Sequence, residues 1–403
     1  MSAGTLPSDW SVVSVLDASE RIMDYRGRTP KKLGMDWGGG DIPAISARNV
    51  RMGHIDFREE FYLASEALYR RWMTHGDMQA GDIIVTTEAP LGNVAAVPDD
   101  RRYVLSQRTV LIRPKTGLFN KTYFLKALQS PAFQRLLVEN ATGSTALGIQ
   151  RKRLEQLPVV APPLPEQLCI AEALQTADDL LDVMEREIAK KQAIKQGMMQ
   201  ELLTGRTRLC GFSGEWTEVA LGEVSTVTMG QSPPSYSYNG DGRGLPLIQG
   251  NADIRERRAI ERIWTTQPAK RCRAGDVILT VRAPVGYTAV AGRDSCLGRG
   301  VCAVSAHKDN RYIYHALVQA ESRWVVFEQG STFTAVNSQQ VRTFTIPWPV
   351  DALERGAIAE AIDDADFELR ALAEQLQKTN AIKQGMMQEL LTGRTRLPVE
   401  TPS

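Results

Sequence analysis

Residues 193–209, with the sequence AIKQGMMQELLTGRTRL, recur letter for letter at residues 381–397, an offset of 188 positions. The shorter segment IAEA at residues 170–173 recurs at residues 358–361 with the same offset. Identical segments at a fixed offset indicate a tandem duplication. The sequence therefore predicts two units, each consisting of a globular part followed by a long helix.

Weaker similarities extend the duplication into the globular parts. The segment GDIIVTTEAPLG at residues 81–92 resembles GDVILTVRAPVG at residues 275–286. Two further matches are Gly143-Ser144-Thr145 with Gly330-Ser331-Thr332, and Ile42-Pro43-Ala44-Ile45 with Leu245-Pro246-Leu247-Ile248. Elsewhere the two globular parts have diverged widely.

A largely apolar seam runs along each predicted helix, with alternating steps of four and three residues. Such a repeat predicts a coiled coil. Pro165 suits the first turn of the first helix, and Asp351 with Glu354 predicts a capping box for the second. Gly205 and Gly393 stand where C-terminal glycine caps belong. The seam positions are Ile170, Leu174, Ala177, Leu181, Met184, Ile188, Lys191, Lys195, Met198 and Leu202, then Ile358, Ile362, Ala365, Leu369, Leu372, Leu376, Thr379, Lys383, Met386 and Leu390.

The direction of the helices follows from the connectivity of the chain. The second globular part begins where the first helix ends, and it ends where the second helix begins. A domain of ~145 residues is about 35–40 Å across, whereas a helix of about 40 residues is ~58 Å long. Parallel helices would force that domain to span the whole helix length, so the sequence predicts an antiparallel coiled coil with a pseudo-twofold axis.

The globular parts combine short β-rich runs with a few helical segments, which predicts an α/β (α+β) fold. The predicted strands include residues 83–87, 104–112, 277–281 and 301–304, and helices are predicted at residues 122–139 and 312–328. The predicted domains are residues 1–163 for the first globular domain, 164–205 for the first helix, 206–350 for the second globular domain, 351–397 for the second helix and 398–403 for a tail.

Composition bears on three properties: contact with nucleic acid, metal binding and location. The 403 residues include 48 basic and 47 acidic side chains, so contact with nucleic acid would depend on local basic patches. The five cysteines form no C-x-x-C pair and the four histidines are scattered, so no metal site is predicted. The absence of a leader pattern and of any run of 18 apolar residues predicts a cytoplasmic protein.

No catalytic motif occurs in the sequence, and no catalytic residue is predicted. None of the 13 lysines has Asp or Glu two positions before it, so the D/E-x-K element of a common nuclease core is absent. The phosphate-binding pattern G-x-x-x-x-G-K-[ST] is also absent. The acidic pairs Asp178-Asp179 and Asp363-Asp364 are predicted to be solvated charges on helix surfaces.

The identical segments keep polar residues that packing alone would not preserve. Gly197 and Gly385 each cost about 1 kcal/mol in a helix interior, which suggests close approach of another backbone. A recent duplication would also leave the globular parts alike, so we favour contacts with two copies of one partner. The candidate partner-binding residues are Lys195, Gln196, Gly197, Gln200, Arg206, Arg208, Lys383, Gln384, Gly385, Gln388, Arg394 and Arg396.

The whole chain resembles the specificity subunits of type I restriction-modification systems. The resemblance rests on two dissimilar α/β parts separated by a helix, on the LLTGRTRL ending of each helix, and on the GDVILTVRAPVG segment. A proline-rich stretch before each helix also matches. Together these features are specific, whereas each alone is weak.

The resemblance implies two target-recognition domains, each binding half of a bipartite, interrupted DNA sequence, with the helices setting the spacing. It also implies docking of two modification (methyltransferase) subunits and, through the complex, of motor-nuclease restriction subunits. The chain itself would be non-catalytic and hold no cofactor. The other subunits would use S-adenosylmethionine, ATP and magnesium for DNA methylation and phage defence.

Alignment of the two strand-turn segments places Glu88 over Arg282. A carboxylate accepts from cytosine and an arginine donates to guanine, so this position is a candidate source of differing specificity. A local salt bridge in a turn is the alternative. The candidate DNA-binding residues are Thr87, Glu88 and Arg282 in the turns, Arg108 and Arg299 at matching places near strand ends, and Gln150, Arg151, Lys152, Asn337, Ser338 and Gln339 before the helices.

Two other functions are the alternatives. A non-DNA adaptor would use the coiled coil to display two ligand-binding domains, and the near-zero net charge permits it. A self-sufficient restriction enzyme would need catalytic motifs, which the sequence lacks.

Overall fold

The computed structural model describes residues 6–143, 146–327 and 335–398. The chain divides into two compact units, which we call the first unit (Met1–Glu185 with Gln375–Ser403) and the second unit (Arg186–Glu374). Each unit contains one globular part and segments of both long helices, so the division falls inside the helices. Most of the two Gly-Ser-Thr motifs, namely residues 144–145 and 330–332, lies outside the described residues.

Three sheets form the described part of the first unit. Its strands are β1 (Ser11–Ser14), β2 (Ser19–Asp24), β3 (Ile42–Ile45), β4 (Tyr62–Ala64), β5 (Ile83–Thr87), β6 (Leu91–Ala96), β7 (Val104–Leu105), β8 (Thr109–Pro114) and β9 (Pro158–Ala161). Its short helices are α1 (Glu66–Trp72), α2 (Lys121–Gln129), α3 (Pro131–Glu139) and α4 (Arg151–Glu155). The sheets have the orders β2-β8-β5-β6, β4-β3-β7 and β1-β9, and only β3 and β7 run parallel. The long helix α5 (Leu164–Leu202) follows.

The second unit repeats this topology. Its strands are β10 (Trp216–Ala220), β11 (Thr226–Met229), β12 (Tyr238–Asn239), β13 (Leu245–Ile248), β14 (Ile254–Arg255), β15 (Arg258–Ala259), β16 (Trp264–Thr265), β17 (Arg271–Cys272), β18 (Val277–Thr280), β19 (Thr288–Val290), β20 (Ser295–Leu297), β21 (Val301–Ser305) and β22 (Thr345–Pro349). The order β11-β21-β18-β19 matches β2-β8-β5-β6, the parallel pair β13-β20 matches β3-β7, and β10-β22 matches β1-β9. Its helices are α6 (Leu221–Val224), α7 (Asn310–Gln319) and α8 (Ser338–Thr343), followed by the long α9 (Ala352–Leu390). The mixed α/β composition and the duplication are thereby confirmed.

The predicted helix at residues 122–139 is two helices, α2 and α3. Ser130 ends the first and caps the second, because its hydroxyl accepts from the backbone N–H of Phe133. Pro131 then occupies the first turn of α3, where a missing N–H costs nothing.

Two further predicted elements are interrupted. The predicted strand at residues 104–112 is the pair β7 and β8, because Arg108 between them has a left-handed backbone with a φ of 62°. The helix predicted at residues 312–328 is α7 followed by a 3-10 helix, Glu321–Phe327. Its predicted last residue lies outside the described residues.

Side-chain burial along α5 and α9 follows the apolar seam. All twenty seam side chains are buried or half-buried, whereas most residues between them are exposed. In the first unit Ile170 and Leu174 share a core with Leu390. In the second unit Leu202 shares a core with Ile358. Each globular core is therefore completed by the start of one long helix and the end of the other. No helix among the described residues is long and apolar enough to cross a membrane.

Ion pairs join the two helix segments within the first unit. Asp178 on α5 binds Lys383 on α9 and also Lys126 on α2. Burial disfavours the charge of Asp178, but the two lysines lower the pKa of its carboxyl group. Arg396, just beyond α9, holds the buried carboxylate of Glu166 at 2.6 and 2.9 Å. The prediction that Asp178 is a solvated charge is therefore wrong.

The second unit repeats the same ion pairs with the helices exchanged. Lys195 on α5 binds Asp366 on α9, and Arg208 holds the buried Glu354 at 2.6 and 2.7 Å. Each of these four residues lies 188 positions from its counterpart in the first unit. The duplication therefore extends to the charges that hold the helix segments together.

Two sequence predictions at the ends of the helices have different outcomes. Gly205 and Gly393 both have a φ of 71°, as expected for C-terminal caps. The capping box of Asp351 and Glu354 is wrong, because the Glu354 carboxylate binds an arginine instead. Only the Asp351 half of the predicted capping box forms: its carboxylate accepts a hydrogen bond from a backbone N–H in the first turn of α9.

Replacing Arg208 with Ala is expected to destabilise the second unit by about 2–3 kcal/mol. The side chain of Glu354 is only 1 % exposed, so the substitution leaves a buried charge without its partner. The double variant Arg208→Ala/Glu354→Gln should recover part of the loss, and urea unfolding measures both.

Arg206→Ala is the matched control for this experiment. Its guanidinium is 62 % exposed and lies 3.9 Å from the carboxylate of Glu201, so a change below about 0.5 kcal/mol is expected. Equal losses in the two single variants would show that the buried pair does not stabilise the unit.

Candidate nucleic-acid interface

A polar cleft of about 400 Å³ lies at the end of β5 in the first unit. The backbone N–H of Ile149 donates to the carbonyl of Thr87 over 2.9 Å, and Glu88 forms a β-bridge with Gly148. The cleft is lined by Arg26, Thr87, Glu88, Gln150 and Arg151, among others. Four candidate DNA-binding residues from distant parts of the sequence therefore lie together.

The second unit builds the same element from different residues. The backbone N–H of Val336 donates to the carbonyl of Val281 over 2.8 Å, and Arg282 forms a β-bridge with Ala335. We call this element the turn–helix site. It comprises residues 87–88 and 148–155 in the first unit, and 281–282 and 335–343 in the second.

Glu88 and Arg282 occupy equivalent positions in the two turn–helix sites. Glu88 is half-buried and Arg282 is exposed. Within the described part of the chain neither side chain forms an ion pair, so the alternative of a local salt bridge is not observed. The two sites thus present opposite charges at the same backbone position.

Thr87 does not contribute a side chain to the surface. It is 1 % exposed, and its hydroxyl is buried without a hydrogen-bond partner among the described residues. The candidate DNA contact at Thr87 is therefore wrong. Its role is structural, because its carbonyl and N–H groups hold the neighbouring loops.

The predicted match between Arg108 and Arg299 is wrong by one position. The N–H of Thr87 donates to the carbonyl of Arg108 over 2.8 Å, whereas the N–H of Val281 donates to Gly300 over 2.9 Å. Arg108 therefore corresponds to Gly300. Both arginines are nevertheless exposed.

The short helix of the first turn–helix site presents positive charge. Gln150, Arg151 and Lys152 are exposed. Arg151 binds Glu155 one turn later at 2.6 Å, and Lys152 has no side-chain partner in the described part of the chain. Lys152 is therefore the less constrained of the two cations.

In the second unit, part of the corresponding cluster stabilises a helix. Asn337 and Gln340 form a capping box at the start of α8, with both hydrogen bonds at 2.9 Å. Ser338 accepts from Arg342, and Gln339 is exposed. Asn337 thus has a structural role that the sequence analysis did not predict.

Sequence reasoning missed Arg26, which lines the cleft of the first unit. Its guanidinium binds Asp24 at 2.6 Å and donates to the carbonyl of Ile149 over 3.2 Å. Burial opposes ionisation of Asp24, but Arg26 lowers the pKa of that carboxyl group. The cluster of basic residues in RGRTPKK, at residues 26–32, was the available signal.

The predicted partner-binding residues fall into two groups. Lys195, Arg208, Lys383 and Arg396 bind carboxylates within their own unit, so these ion pairs explain why the four residues are kept in both copies without a partner. The remaining eight are exposed and stay predictions: Gln196, Gly197, Gln200, Arg206, Gln384, Gly385, Gln388 and Arg394.

The two helix glycines have open surroundings. Apart from the adjoining residues and the backbone of the same helix, no atom of the described chain lies within 4 Å of a Cβ placed on Gly197 or Gly385. The expected close approach therefore does not occur inside the described chain. Ile194 and Ile382, three residues earlier, are exposed as well. We call the exposed residues of these two matching segments the repeat faces, namely Ile194, Gln196, Gly197 and Gln200, and their counterparts Ile382, Gln384, Gly385 and Gln388.

One group of side chains has the spacing of a metal site. His315, Asp363 and Asp366 lie close enough for one ion. However, Arg311 pairs with Asp363 and Lys195 pairs with Asp366, so each of these carboxylates already has a positively charged partner, and His315 also forms a hydrogen bond with Asp363. Asp363 is therefore not the solvated charge that was predicted, and the group acts as an ion-pair network.

Comparison with known proteins decides the family. The model of the type I restriction modification DNA specificity domain matches residues 7–195 and again residues 213–384. The chain belongs to this family. Membership implies DNA recognition and so favours it over the non-DNA adaptor. Specificity subunits of type I systems are non-catalytic, which confirms that this chain is not itself the enzyme.

Individual relatives support the same assignment. The chain is 28 % identical over 418 residues to a putative type I restriction enzyme MjaX specificity subunit of Methanocaldococcus jannaschii, covering 98 % of this chain and 95 % of the relative. A chain from a study of complex assembly and conformational transition of the type I R-M system is 24 % identical, with a TM-score of 0.64 over 98 % of this chain and 100 % of that chain. The HsdS subunit of Thermoanaerobacter tengcongensis is 24 % identical, with a TM-score of 0.51 over 98 % and 99 %. At this identity the structural likeness establishes the fold of the specificity subunit.

Proposed function

We propose that each unit of this specificity subunit binds one half of a bipartite, interrupted DNA target. This proposal rests mainly on the turn–helix site, which occurs in both units with the same backbone contacts but different side chains. Glu88 accepts hydrogen bonds, as cytosine recognition requires, whereas Arg282 donates, as guanine recognition requires. Two such sites on one chain would recognise two different half-sites.

The long helices set the distance between the half-sites. Each has 39 residues, or ~58 Å at 1.5 Å per residue. In the first unit the partner of Asp178 is Lys383, and the partner of the earlier Glu166 is the later Arg396. Residue numbers thus rise along one helix as they fall along the other. This order supports an antiparallel coiled coil with a pseudo-twofold axis.

Two modification subunits dock on the repeat faces, one on each. The faces are identical in sequence, exposed, and carry an isoleucine beside a glycine, so each offers an apolar side chain and room for close backbone approach. These partners would supply S-adenosylmethionine-dependent adenine methylation. Motor-nuclease subunits would join through the complex and use ATP and magnesium. This chain would supply only the sequence specificity of the complex.

Replacing Arg282 with Ala is expected to relax one base pair of one half-site while leaving the other half-site unchanged. A well-formed contact between arginine and guanine contributes about 1–3 kcal/mol of discrimination, or roughly 5- to 150-fold. Glu88→Gln should act on the other half-site alone. Competition binding by the complex with the modification subunits, on duplexes that differ by one base pair, measures both effects.

Arg243→Ala is the matched control for Arg282→Ala. Arg243 is an exposed arginine of the second unit that binds the neighbouring Asp241, so it should not alter the preferred sequence. If Arg282→Ala weakened binding to all sequences equally, Arg282 would contact phosphate rather than a base. Relaxation of both half-sites by either variant would contradict the assignment of one half-site to each unit.

A further inference from the structure

A second cleft, of about 420 Å³, lies in the first unit and is lined by Ala89 of the β5–β6 turn, among others. We call it the aromatic–basic cleft and define it by Lys31, Trp37, Arg48, Tyr62, Ala89 and Arg108. These residues come from five separate segments of the chain. None of the six except Arg108 was a candidate in the sequence analysis.

A stack of aromatic rings forms one wall of this cleft. The rings of Trp37 and Tyr62 are nearly parallel, with their centroids 5.4 Å apart and 13° between their planes. Trp37 also packs on the fully buried Trp72, with centroids 5.3 Å apart. Tyr62 at the outer end is 58 % exposed. The stack thus has a buried base and a free outer ring, as platforms for nucleobases do.

The cleft is lined by three cations, Lys31, Arg48 and Arg108, and by one carboxylate, Asp36, and no ion pair joins Asp36 to these cations among the described residues. Among the described residues, the side chains of Lys31 and Arg108 have no hydrogen-bond or ion-pair partner. Arg48 is largely exposed and only approaches Glu59, at 3.9 Å. A cluster of unpaired cations beside an aromatic platform favours an anionic, aromatic ligand.

The backbone of the cleft is strained at two positions. Ala89 and Arg108 have φ values of 42° and 62°, and only five non-glycine residues in the described chain have a positive φ. Such conformations cost energy for residues with a Cβ, and they concentrate where a ligand is held. Arg108 combines this strain with an unpaired charge.

We propose that the aromatic–basic cleft binds an unstacked nucleotide, with the base on the Tyr62 ring and the phosphate near Lys31 and Arg108. This inference rests on the proposed function, because it assumes that the first unit faces DNA. The nucleotide has two possible sources, namely a base extruded from the target duplex or a single strand of DNA. Both offer the same chemistry to the cleft.

The test uses the full chain in complex with its modification subunits. The complex is titrated separately into a fluorescent twelve-nucleotide oligothymidylate and a fluorescent target duplex, and binding is followed by fluorescence anisotropy. Tyr62→Ala should weaken binding of at least one probe by about 5- to 150-fold, the range for loss of one stacked base. Tyr62→Phe keeps the ring and should stay within twofold of the natural protein. Lys31→Ala should reduce the salt dependence of single-strand binding by about 0.7 in the log–log slope.

Tyr236→Ala provides the matched control, because Tyr236 is a 78 % exposed tyrosine of the second unit. Loss on oligothymidylate alone identifies a single strand as the ligand, and loss on the duplex identifies an extruded base. Cross-linking of 5-iodouracil DNA to the natural protein should label the peptide that contains Tyr62, whether or not the Ala variant folds. Equal behaviour of Tyr62→Ala and Tyr236→Ala on both probes, or cross-links elsewhere, would overturn the inference. If instead the proposed function failed, the natural complex would not prefer its target duplex over other sequences.

Discussion

A fragment of residues 1–209 is expected to self-associate and to direct methylation to a symmetric sequence. In the full chain, the first unit is completed by residues from Gln375 onward, which the fragment lacks. Residues 193–209 repeat residues 381–397 letter for letter. A second copy of the fragment therefore supplies the same side chains to the first unit that the end of α9 supplies in the full chain.

The ion pairs of the first unit survive this exchange. Lys195 of the second copy replaces Lys383 opposite Asp178, and Arg208 replaces Arg396 opposite Glu166. The dimer is isologous, so each of these pairs forms twice.

The exchange also has a cost, which falls near the middle of the helices. The pair of Lys191 with Glu368 is lost, because Leu180 stands 188 positions before Glu368. A second lysine also replaces Thr379 on the seam. Its long stem can carry the charge to water, so the net cost should be about 1 kcal/mol or less.

Sedimentation of the fragment tests this expectation, and two variants of Lys195 provide the control. Lys195→Glu should leave the fragment monomeric, because it places a second carboxylate opposite Asp178 twice in the dimer. Lys195→Arg keeps the positive charge and should keep the dimer. A natural fragment that stays monomeric at tens of micromolar, or a dimer that modifies an asymmetric sequence, would contradict the repeat-based pairing.

A seven-residue insertion in both long helices is expected to lengthen the tolerated spacer by about three base pairs. One heptad adds ~10.5 Å of helix, and one base pair of DNA occupies ~3.4 Å. The insertions belong after Glu185 and after Glu374, where the two units divide, so the ion pairs within each unit are kept. An insertion in α5 alone is the control and should abolish activity, because α9 would then be too short to complete the first unit.

The long helices were predictable from the sequence, whereas their ion pairs were not. The helices follow from an exact repeat and from a seam of period 3.5, both of which are visible in the sequence itself. The partner of Asp178 depends on which residue of the other helix lies opposite, and one sequence does not contain that register. Lys383 was therefore taken for a partner-binding residue, although it neutralises a half-buried carboxylate within its own unit.

The candidate site was predictable only where the two halves align. Glu88 and Arg282 were found because their flanking segments are similar, and the structure places them at equivalent turns. Burial is not visible in an alignment, so the inaccessible Thr87 was included. The aromatic–basic cleft brings together segments far apart in sequence, and no local pattern joins Trp37 to Arg108.

Methylome sequencing of cells that carry this chain with its modification subunit tests the central claim most directly. The natural chain and the chain with both insertions are compared in the same cells. We predict one bipartite motif for the natural chain, with a methylated adenine in each half. The insertion variant should keep the same half-site bases and lengthen the spacer by about three base pairs. A continuous motif, or altered half-site bases at an unchanged spacer, would contradict the assignment of base recognition to the units and of spacing to the helices.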